Sequence, residues 1–217
     1  MVGYNRRFAP FSEKLKQFFT GRQEPMVVQI RVNAGYLAHD HWVQQNSSGG
    51  GRILGELCHF VDWASFVVEC DMVSVTANAL PDGARYNRDN VVATFTFQDG
   101  SIASISYLAN GDRSVPKEQF EVFCEGKVGR INDFRVLELA RDGKTRRTRA
   151  GRDKGHEREI ALTLDAIRHG GCSPIPFEEL MDVSAATIAI EEAIGAGKAV
   201  SLLTGQGPDA HRSGERL

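Results

Sequence analysis

The segment GGGRILGELCHFVDW (49–63) holds the densest set of residues able to do chemistry. Its three glycines allow close backbone approach and unusual dihedrals just ahead of a helix. On that helix Glu56, His59 and Asp62 follow at intervals of three. Each such step turns the side chain back by about 60°, so the three share one flank. A histidine between carboxylates can be held in orientation and kept basic enough to exchange a proton near neutral pH. The same spacing also suits a helix whose polar side makes only structural hydrogen bonds.

A second set lies in NAGYLAHDHW (33–42), with Asn33, His39, Asp40, His41 and Trp42 after a strand. Polar groups beside an indole suit a sugar, whose hydroxyls need partners and whose ring face packs on an aromatic surface. His39 and His41 with Cys58 and His59 would also be the ligand types of a zinc site. An ordinary loop with exposed histidines is the plainer alternative. In Asn5-Arg6-Arg7-Phe8 the two arginines can bind phosphate or carboxylate bidentately, or form surface and interdomain ion pairs.

These residues must be positioned by regular elements. Pro10 and Ser12 introduce a helix carrying Leu15, Phe18 and Phe19, after a strand end or linker at 1–8. MVVQIRVNA (26–34) alternates as a strand, residues 35–51 read as a loop, and 52–68 as a helix. Strands are expected at 72–80, 91–97, 101–108, 118–126, 127–133 and 134–140, with Asp99-Gly100 as a hairpin turn. Links this short join antiparallel strands. The basic stretch 141–155 has seven Arg or Lys against two Asp and no aromatic residue, so it reads as a solvated loop rather than a nucleic-acid surface. Helices follow at 156–169 and 177–197, with Gly195-Ala196-Gly197-Lys198 as a helix end. The expected class is α+β: an open, mostly antiparallel sheet with helices packed on one face. Residues 1–203 are expected to form one domain, and the polar stretch 204–217 a disordered tail.

A net charge of −2 gives no general attraction to nucleic acid or an anionic membrane. No apolar run approaches the ~20 residues of a membrane span, and the N-terminus has no signal-peptide core. Cys58, Cys70, Cys124 and Cys172 form no CxxC pair, which fits a reducing, cytoplasmic setting. No strand leads into GxGxxG and a helix, and neither GxxxxGK[ST] nor GxSxG occurs.

VGYNRRFAPF, VNAGYLAHDHW, GGGRILGELCHFVDW, FQDGSIASISYLANGD and PKEQFEVF together resemble the C-terminal domain of the Gfo/Idh/MocA oxidoreductases, in a branch called bi-domain oxidoreductases. The resemblance runs from residue 1 to about 203. It implies an N-terminal Rossmann domain holding NAD or NADP, with a catalytic lysine in a Glu-Lys-Pro segment absent from this chain. The second domain closes the substrate site and commonly oligomerises through its exposed sheet face. His59 and Asp62 match the family's His and following Asp; the family's earlier Asp falls on Gly55, with Glu56 beside it.

The resemblance therefore implies His59 as the proton-exchanging group, with Glu56 and Asp62 as its catalytic partners. Asn33, His41, Trp42 and Arg7 would bind substrate and Arg6 would lie by the cofactor. The substrate would be a sugar, inositol or related hydroxyl compound. The chain would need a Rossmann domain in cis or in trans, bind no NAD or NADP tightly alone, be inactive alone, and dimerise through an apolar sheet face. A non-catalytic sugar-binding or dimerisation module, and a metal-dependent hydrolase, are the competing readings.

Overall fold

The structure, a computed structural model, describes residues 1–44 and 50–203. Among the described residues nine strands form one sheet: β1 (Val27–Asn33), β2 (Met72–Ala79), β3 (Asn90–Phe97), β4 (Ile102–Leu108), β5 (Glu118–Cys124), β6 (Lys127–Asn132), β7 (Val136–Arg141), β8 (Lys144–Arg149) and the short β9 (Val200–Ser201). Their order is β8-β7-β6-β5-β1-β4-β3-β2-β9. Only β1 against β4 is parallel; the other neighbours are antiparallel. This is the open, mostly antiparallel sheet expected from the strand spacing. The tail 204–217, and the part of the glycine-led loop at 45–49, lie outside the described residues.

Alternation decides which face is covered. Val28, Ile30 and Val32 of β1, Ala103, Ile105 and Tyr107 of β4, and Phe120 and Val122 of β5 are buried under the helices. Above them lie α1 (Pro10–Phe18), α2 (Cys58–Val68) and α4 (Phe177–Ala196). Trp63 of α2 stacks at 4.4 Å from Phe120, and its indole N–H donates to Ser12 Oγ at 2.8 Å, so the largest core side chain is also hydrogen-bonded. Val183, Ala186, Ile190 and Ala193 give α4 its buried stripe.

The uncovered face is less apolar than expected. Ile102, Val27, Phe123, Val128 and Ala140 stand in register as one apolar row. The next row is Thr94, Ser104 and Gln29, continued by the alternating charges Glu121, Arg130, Glu138 and Arg147. Arg130 pairs with Glu121 at 2.6 Å and Glu138 at 3.2 Å, and Arg147 with Glu138 at 3.2 Å.

Several local expectations are corrected. Residues 144–149 are strand β8, not loop, because Asp142 and Gly143 both adopt positive φ (51° and 70°), the geometry of a two-residue hairpin turn. Asn5–Phe8 is a buried 3-10 turn rather than a strand end. It is pinned by Gly155 (φ 85°), where a Cβ would fall 2.4 Å from the Asn5 carbonyl. The helix at 52–68 begins with a wider π turn, Ile53–Leu57, before α2.

Helix α3 (His156–His169) is turned against its own pattern. Glu159 is buried while Ile160, Leu164 and Ile167, the residues at helical spacing, are exposed. Glu159 Oε1 has no hydrogen-bond partner.

Candidate functional site

One end of the sheet gathers the termini of β1 and β4, the start of β5 and the π turn leading into α2. Tyr107, on the covered face near the end of β4, reaches this turn. Arg52 Nε donates to Tyr107 Oη (2.6 Å), which donates in turn to Glu56 Oε2 (2.6 Å). Lys117 Nζ lies 3.6 Å from the same carboxylate, as does Arg52 Nε from Oε1. Burial pushes the Glu56 carboxyl up, but Lys117, the Tyr107 hydroxyl and Arg52 outweigh it and hold the group below the usual carboxylate range. Glu56 is therefore ionised at neutral pH and about a quarter exposed. Arg52 is buried, and its Nη1 is unpartnered.

His59 follows on α2. Burial and the nearby Arg6 guanidinium lower its pKa to about 4, against the opposing pull of Glu118 and Glu56. The imidazole is thus neutral near pH 7, and its burial beside Arg6 makes it a weaker base than a free histidine. Its Nδ1 has no hydrogen-bond partner, and Tyr4 meets the ring edge-on at 6.0 Å. Behind it, Arg6 grips Glu118 bidentately (3.0 and 2.9 Å) while Lys154 donates to Glu118 at 2.6 Å. Burial raises the Glu118 carboxyl, yet these two cations hold it at about 2.

Asp62, the third residue of the expected flank, is elsewhere. It is 0% exposed and takes Arg7 through Nη2 at 2.6 Å and Nε at 3.1 Å. Arg7 also donates to Glu179 at 2.7 Å. Both side chains are therefore held in a buried ion pair behind the helix. Arg6 likewise uses its guanidinium on Glu118.

Asn33 is buried at the end of β1. Its Nδ2 donates to the carbonyls of Asp112 (2.6 Å) and Val115 (3.2 Å), so it shapes the 110–117 loop. Gly111 is required there, since a Cβ would sit 2.1 Å from Asn33 Oδ1. His41 stacks on Trp42, which is 62% exposed, at 6.0 Å. His39 Nε2 donates to the Ala84 carbonyl at 3.0 Å. No group of three His, Cys, Asp or Glu side chains among the described residues could hold a metal ion. Burial pushes the Cys58 thiol up to about 11, away from the thiolate that zinc binds. The zinc arrangement of His39, His41, Cys58 and His59 is not formed.

Arg52, Tyr107, Lys117, Glu118 and Lys154 were not singled out from sequence. Tyr107 could have been, because the period of two places it on the covered face with Ala103 and Ile105. The others are brought in by tertiary contacts across 36 residues or more, except for the local Arg52–Glu56 pair.

The fold is α+β, an open and mostly antiparallel sheet with helices on one face, rather than a doubly wound parallel sheet. Residues 24–132 match the model of the GFO/IDH/MocA C-terminal domain. The chain belongs to that oxidoreductase family. Among solved structures it is similar to an oxidoreductase domain protein from Kribbella flavida (15% identity, TM-score 0.77, covering 93% of this chain and 66% of that one). It is also similar to an oxidoreductase from Agrobacterium radiobacter in complex with NAD+, L-tartaric acid and magnesium (14%, 0.76, 93% and 64%). A third is the UDP-N-acetylglucosamine 3-dehydrogenase GnnA from Acidithiobacillus ferrooxidans (18%, 0.73, 90% and 61%). The chain spans 61–66% of the length of the solved structures it resembles. No curated protein matches it. No helix among the described residues is long and apolar enough to cross a membrane.

Proposed function

We propose that this chain supplies the substrate wall of an NAD(P)-dependent oxidoreductase acting on a sugar, inositol or related hydroxyl compound. The observation that carries the reading is a half-buried, neutral His59 on the helix that also carries an ionised Glu56, its Nδ1 enclosed without a hydrogen-bond partner. Such an imidazole can take the proton of a substrate hydroxyl. Glu56, fixed by Arg52, Tyr107 and Lys117, orients that hydroxyl and favours the imidazolium that forms. Arg7 and Asp62 act from behind, by holding α2 against the 3-10 turn at Asn5–Phe8. Asn33 holds the neighbouring loop, and His41 with Trp42 offers an exposed aromatic surface for a sugar face.

The described residues do not fit a dinucleotide. The sheet has one parallel pair, and no strand leads directly into GxGxxG and a helix. Cofactor binding therefore falls to a Rossmann domain, in cis or in trans. The outward apolar ridge of α3 supports such a partner, since an amphipathic helix gains nothing by facing water with its apolar side. The row Ile102, Val27, Phe123 and Val128 supports a homodimer through the sheet face. Four free cysteines suit a cytoplasmic setting.

The test is a fluorescence titration of this chain with NADH and NADPH, repeated with a family Rossmann domain added in trans. No saturable binding by the chain alone, and sugar or inositol oxidation that appears with the partner, is expected. In that assembly His59→Ala should lower kcat by about 10²- to 10⁴-fold. Tight cofactor binding by the chain alone, or full turnover without His59, would overturn the reading.

A further inference from the structure

A cavity lies at the same end of the sheet, where β1 stops, β5 begins and β6 turns into β7. It measures about 470 Å³ and is lined by Asn33, Arg113, Lys117, Asn132, Asp133, Arg135 and Arg152, among others. Four cations thus face one carboxylate, in a chain whose net charge is −2. The excess is a local arrangement rather than a consequence of composition.

The cations are only partly engaged. Arg135 Nε lies 3.7 Å and Arg152 Nη1 3.5 Å from Asp133 Oδ2, longer than charge-assisted hydrogen bonds. Both side chains are about half exposed. The cavity walls also carry Asn33, nine-tenths buried, whose Oδ1 accepts no hydrogen bond. Asn132 Oδ1 and Asp133 Oδ1 are in the same position. Three of the six unpartnered buried side-chain atoms among the described residues therefore belong to residues that line this cavity, just beneath its surface. Guanidinium groups ask for an anion, and the polar side chains Ser114 and Asn132 on the walls suit hydroxyl groups. A polyol bearing a phosphate or carboxylate offers both. Lys117 links the two regions, because it lines this cavity and its ammonium stands 3.6 Å from Glu56.

We propose that this cavity binds the anionic end of a hydroxylated small molecule, with Arg135 and Arg152 gripping the anion. It rests on the substrate-wall reading only for the sugar-like body of that molecule. An anion here draws the Lys117 ammonium toward the cavity, and so couples occupancy to the charge beside Glu56.

Calorimetric titration of the chain with glucose 6-phosphate, gluconate, glucose and inorganic phosphate tests this without cofactor or turnover. The anionic sugar derivatives should bind at least about tenfold more tightly than glucose, and whichever is tighter identifies the anion. The exposed double variant Arg135→Ala/Arg152→Ala should keep its melting temperature and lose roughly tenfold to a hundredfold in that affinity. Unchanged affinity in the double variant, or no preference over glucose, overturns the proposal. Inorganic phosphate binding as tightly as glucose 6-phosphate overturns the sugar body. Each of these failures leaves the His59 reading to its own test.

Discussion

Arg7 and Asp62 grip each other through two guanidinium nitrogens inside the protein, 55 residues apart in sequence. Removing one partner leaves the other charge buried, which costs about 3–5 kcal/mol. Asp62→Asn and Arg7→Met should each lower unfolding stability by that order in urea titration. Arg7→Lys should not rescue, since an ammonium cannot make the fork. A loss below about 1 kcal/mol would show the pair to be dispensable.

Acid stability should report the state of His59. Unfolded, the imidazole takes a proton near 6.5; folded, only at about 4. Between these values the unfolded chain binds the extra proton, so the native state loses stability as pH falls through that window. At about 1.4 kcal/mol per unit the full effect is on the order of 3 kcal/mol. Asp62, raised by burial to about 6, works in the opposite direction over its own range. The comparison is therefore wild type against His59→Gln, whose stability curves should converge toward pH 4. Parallel curves would contradict a buried neutral imidazole.

Tyr107→Phe removes the hydroxyl between Arg52 and Glu56. It should destabilise by about 1–3 kcal/mol, because two polar partners are left unmatched. The Glu56 pKa, followed by carboxyl carbon NMR, should rise, since the hydroxyl is one of the groups holding it down. An unmoved titration would break the proposed support of Glu56.

The ridge on α3 should be nearly silent in the isolated chain. Ile160→Ser and Leu164→Ser are expected to change stability by no more than about 0.5 kcal/mol, as at other exposed sites. Leu57→Ala, in the core, should cost about 2–5 kcal/mol. The same ridge substitutions should weaken binding of a Rossmann partner in a pull-down, and unaltered binding would remove the ridge from that interface.

For the sheet face, Phe123→Lys places a charge in the middle of the apolar row. Sedimentation should show wild-type dimers and a monomeric variant. A monomeric wild type would rule out the dimer.

The strands before residue 140, the four helices and the helical flank that carries Glu56 and His59 were legible because periodicity is a local property. Val28, Ile30 and Val32 announce a covered face whichever strand lies beside them. Asp142-Gly143 carries the same turn signal as Asp99-Gly100, but the run of arginines around it makes 141–155 read as a loop and hides strand β8, whose edge position tolerates charge. Only the tertiary structure decided what each polar residue faces. Asp62 and His59 are three apart on one helix, yet Arg7 claims the first and none of the hydrogen-bonding groups nearby claims Nδ1 of the second. Likewise Tyr107, Lys117 and Arg52 converge on Glu56 from a strand, a loop and the turn before it. Hydrogen bonds and ion pairs act over a few ångströms in space, and chain spacing carries no record of which distant segment will supply the partner.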